Sequence, residues 1–484
     1  MLTNLFLSQK TVLIVGLGAS GQSVAAYLAK RHIPFRVADS RLNPPDLDKF
    51  KAEFEPTGLL QGLYLGAFDP AIFCATDIEL VIVSPGVAIS HPIIQQARAQ
   101  GKKVIGDIEL FAHEVKKYCP LHQIIGITGS NGKSTVTTLV GELLSAYATQ
   151  KIKVIVAGNI GLPVLSALDN LIEINKPLDN ILVYFVLELS SFQLETTDTL
   201  ELETAVILNI SPNHLDRYDG SVLDYAKAKH RIYAHAKHII YNREDKSTYP
   251  KFNSNLNKNL TLTFGLDIPH ENQFGIIPEN NEKYLAYGSE KLLPVSELSL
   301  MGQHNYANVL TSLAVIKSLG IKLTPDMISA LTQFTGLSHR CEWVANINQV
   351  QYINDSKGTS TGATIASIEG LGPTLTGKII LIAGGDGKGA DFSQITPVLK
   401  KYVQAVVLIG RDANKIAQII PDNIPSYMAE TLDKAVPMAQ SLAKPGNTVL
   451  LSPVCASWDQ YPSYIARGEH FKSCVLKLSN GYNQ

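Results

Sequence analysis

Gly126-Ile-Thr-Gly-Ser-Asn-Gly-Lys-Ser-Thr135 follows an apolar, strand-like lead from Gln123 to Ile127. Glycines let backbone N–H groups converge on an anion, a lysine adds charge for terminal phosphates, and a hydroxyl at a helix start can hold magnesium. Gly129, Ser130, Asn131, Gly132, Lys133, Ser134 and Thr135 are therefore read as the cradle of a nucleoside triphosphate, with ATP and Mg2+ as its ligands. The generic pattern asks for glycine at position 127, where this chain has isoleucine, so Thr128-Gly129-x-Asn131-Gly132-Lys133 is a narrower variant. A surface turn with a stray lysine would not need the strand before it or the helix after it.

Short apolar runs alternate with longer amphipathic stretches on both sides of this loop, the pattern of parallel α/β sheets. Upstream, the runs are Thr11 to Val15, Phe35 to Ala38 and Leu80 to Val83, and Lys103 to Val115 leads towards the loop. Around the loop they are Gln123 to Ile127, Val154 to Ala157, Leu182 to Leu187, Ala205 to Leu208 and His238 to Tyr241. Downstream come Ile379 to Ala383, Ala405 to Ile409 and Thr448 to Leu451, each followed by small or charged residues of the kind that line a ligand crevice. The fold expected is α/β in three domains. These are a Rossmann-like N-terminal domain (1–111), a central ATP-binding domain of the P-loop ATPase type (112–337) and a Rossmann-like C-terminal domain (338–484). The polar stretch near 246–298 is read as irregular strands and loops with no assigned chemistry.

A chain of 484 residues has room for about three ordinary domains. With 45% hydrophobic and 18% charged residues it can build large cores. The net charge is −1, and the 42 Lys and Arg residues form no basic blocks, which argues against a nucleic-acid surface or a membrane-binding patch. Cys74, Cys119, Cys341, Cys455 and Cys474 are odd in number and scattered, so neither a disulfide framework nor a paired zinc spacing is indicated. Met1 to Lys10 lacks a basic and apolar leader, and no apolar run approaches the ~18 residues of a membrane span. A cytoplasmic protein without membrane insertion is expected, and a monomer.

Gly16-Leu-Gly18-Ala-Ser-Gly21, after the first strand and with Asp39 closing the next, reads as a dinucleotide fingerprint. The physics requires only a diphosphate at a helix N-terminus. Because a triphosphate site is already present, a UDP-linked substrate is favoured over NAD, with an empty tight turn as the remaining alternative. In the central domain, Glu188 ends a buried-strand run and is placed to hold magnesium together with Ser134. His214 and Asp216 follow another strand end; on spacing alone His214 is as readily a loop residue as a ligand. Nothing in its spacing distinguishes Lys229 from Lys227, and both read as exposed helical lysines.

Taken together, the phosphate loop, Gly158-Asn-Ile-Gly-Leu-Pro163, Glu188-Leu-Ser-Ser-Phe-Gln-Leu-Glu195, His214-Leu-Asp-Arg-Tyr218 and Gly302-Gln-His-Asn-Tyr-Ala-Asn308 resemble the Mur ligase family in order and wording. The loop alone is also similar to that of folylpolyglutamate synthases. Phe334 to Arg340, Asn354 to Lys357, Gly384 to Lys388 and Leu451 to Gln460 extend the resemblance over all three domains. It implies a ligase that uses ATP to add D-glutamate to UDP-N-acetylmuramoyl-L-alanine, through an acyl phosphate, in peptidoglycan precursor synthesis. It further implies that Lys133, Glu188, His214 and Lys229 are catalytic, with Ser134 and Glu188 on one magnesium and His214 with a carbamylated Lys229 on a second. Asn308, Arg340, Asp355 and Lys357 would contact the nucleotide. Ser20, Asp39, Arg41 and Gly86 would surround the uridine part, with Asn159 and His214 facing the muramoyl-alanine end. Thr359, Lys388, Ser457 and Tyr464 would hold D-glutamate, and the third domain would close over ATP. Three positions depart from the family: Ser20 stands for threonine, Tyr464 for phenylalanine, and Trp458 for a smaller aliphatic residue.

Three readings compete with this one. A ligase of the same family with another acceptor is opposed by the block containing Lys388 and Ser457. An NAD-dependent oxidoreductase leaves the ATP loop unused. A nucleotide-gated binding protein would show no turnover with any acceptor.

Overall fold

In the computed structural model, described over residues 11–174, 178–250, 261–300 and 302–480, the apolar runs become parallel strands, and central ones such as Thr11–Val15 and Ile379–Gly384 are buried throughout because helices cover both faces. Strands β1 (Thr11–Val15), β2 (Phe35–Asp39), β3 (Leu60–Leu65), β4 (Ile78–Val83) and β5 (Lys103–Ile105) form a parallel sheet in the order β3-β2-β1-β4-β5. The order reverses at β1, so the crevice beside its carboxyl end falls between the turn at Gly16 and the turn at Ser84. The leading segment Met1 to Lys10, on which the reading of a missing leader rests, lies outside the described residues.

Next come β6 (His122–Thr128), β7 (Ile152–Gly158), β8 (Leu182–Glu188), β9 (Leu202–Ile207), β10 (Ala236–Asn242) and β11 (Thr261–Phe264). They run parallel in the order β11-β10-β9-β6-β8-β7. Here β6 separates β8 from β9, and three carboxyl ends meet: the phosphate loop after β6, Glu188 on β8, and the segment from Leu208 to His214 after β9.

The β1 and β6 sheets belong to one compact unit, Met1–Phe264 with Thr311–Met327. They share a single apolar core in which Val12, Ile14 and Tyr27 join Leu165, Leu168 and Phe185. Helix Ala19–Lys30 is the seam. Its Tyr27 hydroxyl donates to Glu114 (2.9 Å), Ser23 and Ser166 hydroxyls meet at 2.8 Å, and Arg31 pairs with Asp169 at 2.9 Å while lying 3.4 Å from the Tyr27 ring centroid.

Gly265–Leu310 with Ile328–Gln484 makes the second unit. It opens with an antiparallel meander, β12 (Gln273–Glu279), β13 (Glu282–Tyr287) and β14 (Glu290–Pro294). The strands expected in this stretch are present, and they are regular hairpins rather than irregular ones. Phe274, Ile276 and Leu285 are buried in these hairpins, while the turn Asn280-Asn281 takes the left-handed conformation that asparagine tolerates. Residues 251–260 of that stretch lie outside the described residues. A last sheet contains β15 (Glu342–Ile347), β16 (Val350–Asn354), β17 (Ile379–Gly384), β18 (Val403–Ile409), β19 (Ser426–Glu430) and β20 (Thr448–Leu451), ordered β15-β16-β20-β17-β18-β19. The last strand in sequence lies between β16 and β17, so the segments 355–359, 385–388 and 452–457 emerge side by side.

Candidate active site

The phosphate loop is shaped by the protein's own packing and hydrogen bonds. Gly132 has φ 81°, a left-handed conformation that turns the chain into helix Lys133–Tyr147. A Cβ on Gly129 would come within 2.9 Å of Leu208, so glycine is required there by packing as well. Asn209, just past β9, braces the loop. Its carbonyl accepts from Ser130 N (2.9 Å), its Oδ1 from Asn131 N (2.8 Å), and its Nδ2 donates to Asn131 O (3.1 Å). Ser130 Oγ joins Ser211 and the Tyr225 hydroxyl. Lys133 Nζ donates to Gly129 O and Ser130 O, at 2.8 and 3.0 Å.

Glu188 is buried, 2% exposed, at the end of β8. Ser134 Oγ donates to one of its oxygens (2.6 Å) and Asn159 Nδ2 to the other (2.7 Å). A buried carboxylate accepting from two neutral donors, at the N-terminus of a helix that follows a phosphate loop, suits a divalent cation with oxygen ligands. Ser134 and Glu188 could hold one.

Lys229 is not the exposed lysine that its spacing suggests. It lies on the inner face of helix Val222–His230 and is 1% exposed, with Nζ donating to Gly129 O (2.9 Å) and Thr128 Oγ1 (3.2 Å) and lying 4.7 Å from the Tyr225 ring centroid. Burial, and then the charge of Lys133, hold its ammonium well below the usual lysine range. A neutral amine in that place can add carbon dioxide. Lys227, two residues earlier, pairs with Asp224 on the surface.

His214 has φ 52° and packs edge-on against Phe192, centroids 5.2 Å apart. Surrounding protein and the charge of Lys133 lower its pKa, leaving a neutral ring as the favoured form near neutrality. Arg217 fastens this corner, donating to Glu195 (2.7 Å) and to Val87 O (3.0 Å), next to Gly86 of the N-terminal sheet.

At the first glycine loop, two glycines serve the protein and one faces space. A Cβ on Gly21 would meet Gly16 O at 1.9 Å, and one on Gly16 would meet Ser84 at 2.9 Å, but one on Gly18 would meet nothing within 4 Å. Gly18 therefore faces open space at the start of helix Ala19–Lys30, where a diphosphate can approach. Gly86 likewise faces open space. Asp39 is occupied: it accepts from Leu17 N (2.6 Å) and from Arg41 N, Nε and Nη2. Burial opposes its charge, yet Arg41 and these N–H groups keep its carboxyl below the usual range. Ser20 hydrogen-bonds Asp107, a fully buried acid absent from the sequence reading whose pKa burial raises.

In the second unit, Asp355 turns inward to Ser367 Oγ (2.6 Å), Ser452 Oγ (2.7 Å) and Cys341 N (3.2 Å). Burial pushes its pKa up to about 6 against the pull of these hydroxyls. Lys357 Nζ sits 4.0 Å from the Tyr464 ring centroid, and Lys388, exposed with φ 49°, lies 6.0 Å from that of Trp458. Ser457 is buried, Thr359 is half-buried, and Arg340 lies close enough for its charge to favour ionised Asp355. Asn308 is buried and bonds Asn305. The residue that knits these loops was missed in the sequence. Arg467, 1% exposed, donates to Ser356 Oγ and O (3.0 and 2.9 Å) and to Cys455 O (3.1 Å), and no sequence pattern separates it from a surface arginine.

Known proteins supply the comparison. The Mur ligase middle domain matches residues 127–316, the N-terminal domain of MurD-like Mur ligases residues 10–106, and the glutamate ligase domain of Mur ligases residues 339–455. The UDP-N-acetylmuramoylalanine–D-glutamate ligase of Pseudomonas syringae pv. tomato is 45% identical over 476 residues, 98% of this chain and 100% of that protein. Its namesake in Marinobacter nauticus is 44% identical over 475 residues, again 98% and 100%. Among solved structures, UDP-N-acetylmuramate-alanine ligase MurC of Thermotoga maritima has a TM-score of 0.55 at 19% identity over 98% of this chain and 100% of its own. MurF of Acinetobacter baumannii gives 0.57 at 16%, over 97% and 93%. At such identities these two speak for the fold.

Proposed function

The chain belongs to the Mur ligase family, and from that membership we propose that it joins D-glutamate to UDP-N-acetylmuramoyl-L-alanine at the expense of ATP, in peptidoglycan precursor synthesis. The observation that carries this is likeness over 98% of the chain to the UDP-N-acetylmuramoylalanine–D-glutamate ligase of Pseudomonas syringae pv. tomato. Two glycine loops on one body support it, one for each phosphate-bearing substrate: Gly16 to Gly21, with Gly18 facing open space, and Gly129 to Thr135.

Lys133 and the loop N–H groups receive the terminal phosphates of ATP, Lys133 leaving Gly129 O and Ser130 O to do so. Ser20, Asp39, Arg41 and Gly86 surround the uridine part, Asp39 by holding Leu17 and Arg41 in place. Asn159 and His214 bring the alanyl carboxylate to the γ-phosphate. A carboxylate oxygen displaces ADP, giving an acyl phosphate; the D-glutamate amine then attacks the acyl carbon, phosphate departs, and the amide remains. Thr359, Lys388, Ser457 and Tyr464 orient that amine, and such positioning lowers a barrier by ~7–11 kcal/mol. Asn308, Arg340, Asp355 and Lys357 serve the nucleotide, Asp355 with a carboxylate whose Oδ2 already accepts from Ser367 and Ser452.

Mg2+ belongs to the proposal, with Ser134 and Glu188 holding one ion and His214 with carbamylated Lys229 another. Bound there, magnesium supplies positive charge where carboxylate and phosphate oxygens would otherwise repel. The proposed working form is a cytoplasmic monomer with domains at 1–111, 112–337 and 338–484. Free thiols at all five cysteines suit a reducing compartment.

Phosphate release from ATP, with UDP-N-acetylmuramoyl-L-alanine and magnesium, tests this against D-glutamate, L-glutamate, L-lysine and no acceptor, with mass analysis of the product. Release and a new amide with D-glutamate alone are expected. Another acceptor would keep the ligase class and move the substrate; no turnover with any of them would overturn the reading.

A further inference from the structure

Helix Tyr464–Asn480 carries His470 and Cys474 at a spacing that puts both on one face. Asp433, in the first turn of helix Leu432–Leu442, stands against them. His470 Nε2 is 3.2 Å from Asp433 Oδ1, Cys474 Sγ is 3.8 Å from the same oxygen, and one donor atom from each residue lies within 4.8 Å of the others. We propose that Asp433, His470 and Cys474 form a binding site for a thiophilic divalent cation of the zinc class, with water as fourth ligand. No residue assigned above to ATP, UDP substrate or glutamate takes part.

The geometry and the donor set agree. Tetrahedral zinc with bonds of about 2.0–2.3 Å keeps its ligand atoms roughly 3.3–3.8 Å apart. The observed separations need only small side-chain rotations to reach that range. One sulfur, one nitrogen and one oxygen select a borderline-soft ion over magnesium or calcium, which prefer oxygen throughout. The other ring nitrogen is already engaged: Tyr461 OH lies 2.8 Å from His470 Nδ1, and a hydroxyl can accept the Nδ1 proton, which leaves the Nε2 lone pair for a metal. Asp433 and His470 side chains are 60% and 30% exposed, giving a path of entry, while buried Cys474 forms the floor. On binding, the sulfur–metal bond forms as the thiol proton passes to solvent. The resulting thiolate and the Asp433 carboxylate balance the two positive charges. Cysteine spacing alone hides this site, because its partners are not cysteines.

The alternative is a surface His–Asp pair beside an inert buried thiol. The two are separated by titrating the full-length protein with Co2+ in excess magnesium, following the thiolate-to-cobalt charge-transfer band, then displacing Co2+ with Zn2+. One equivalent with that band is expected in the parent. The band should vanish in Cys474→Ser and in His470→Ala, and Tyr461→Phe should weaken binding by about 10–100-fold. Added Zn2+ should raise the melting midpoint of the parent above its metal-free value and leave that of Cys474→Ser where it stands without metal. Absence of the band in the parent, or its survival in Cys474→Ser, would overturn the proposal.

Discussion

Ser134 Oγ lies 2.6 Å from Glu188 Oε2, tying the first turn after the phosphate loop to the far end of β8. With Asn159 on the other oxygen, the carboxylate is held in one orientation by protein groups. In the proposed reaction this would leave little rearrangement for the step itself, which is how preorganised electrostatics lower a barrier.

Glu188→Gln keeps the volume and an acceptor but removes the charge. Ligation measured by phosphate release should fall about 10²–10³-fold, the scale of losing one preorganised electrostatic contact. Lys133→Ala should fall at least as far. Full activity in either variant would contradict its assigned role.

Lys229→Ala should lose ligation and regain part of it with added formate or acetate, which can replace the missing anion. In the parent, burial and Lys133 keep the amine neutral to lower pH than an ordinary lysine. Carbamate formation consumes that neutral amine, so stripping dissolved carbon dioxide should reduce activity and bicarbonate should restore it. Indifference to bicarbonate, with no carbamate signal from 13C-labelled bicarbonate by NMR, would dismiss the carbamylated form.

Gly21→Ala and Gly18→Ala should part company. A Cβ on Gly21 meets a backbone oxygen at 1.9 Å, so that variant should lose about 1–3 kcal/mol in denaturant unfolding. The Gly18 methyl meets no protein atom within 4 Å and its φ of −90° is unstrained, so stability should hold while KM for the UDP substrate rises. An unchanged KM would overturn Gly18 as the place where the diphosphate sits.

Asp355 provides a pH signature. Its folded pKa, about 6, exceeds the ordinary 3.8, so between those values the folded state binds the more protons. Its contribution to stability is therefore fully present below about pH 3.8 and is lost as pH rises through 6, by about 3 kcal/mol. Asp355→Asn lacks this slope. Denaturant unfolding from pH 4 to 7 should show the variant gaining on the parent across that window, and parallel curves would refute the assignment.

The sheets were legible because buried parallel strands such as Thr11–Val15 and Ile379–Gly384 are unbroken apolar runs. Leu60–Leu65 and Ser426–Glu430 escaped notice; they are edge strands, half-exposed, and carry polar residues where a central strand cannot. The phosphate loop declared itself because its chemistry is local. Asn209, Arg467 and Asp107 did not, because each acts on backbone or side chains far away in the sequence. Lys229 shows the same limit from the other side: the burial that changes its chemistry belongs to the packing of helix Val222–His230.

The seam formed by Tyr27, Arg31, Ser23 and Ser166 joins the Gly18 turn to the strand that ends in Glu188 through one continuous core. With both ends fixed on a single body, the distance between them works as a gauge. In the proposed reaction, a substrate whose diphosphate sat at Gly18 would present its carboxylate at Glu188 only if the intervening sugar and amino acid had the right span. A chain one residue longer or shorter would be rejected by length, before any side-chain pocket had read it.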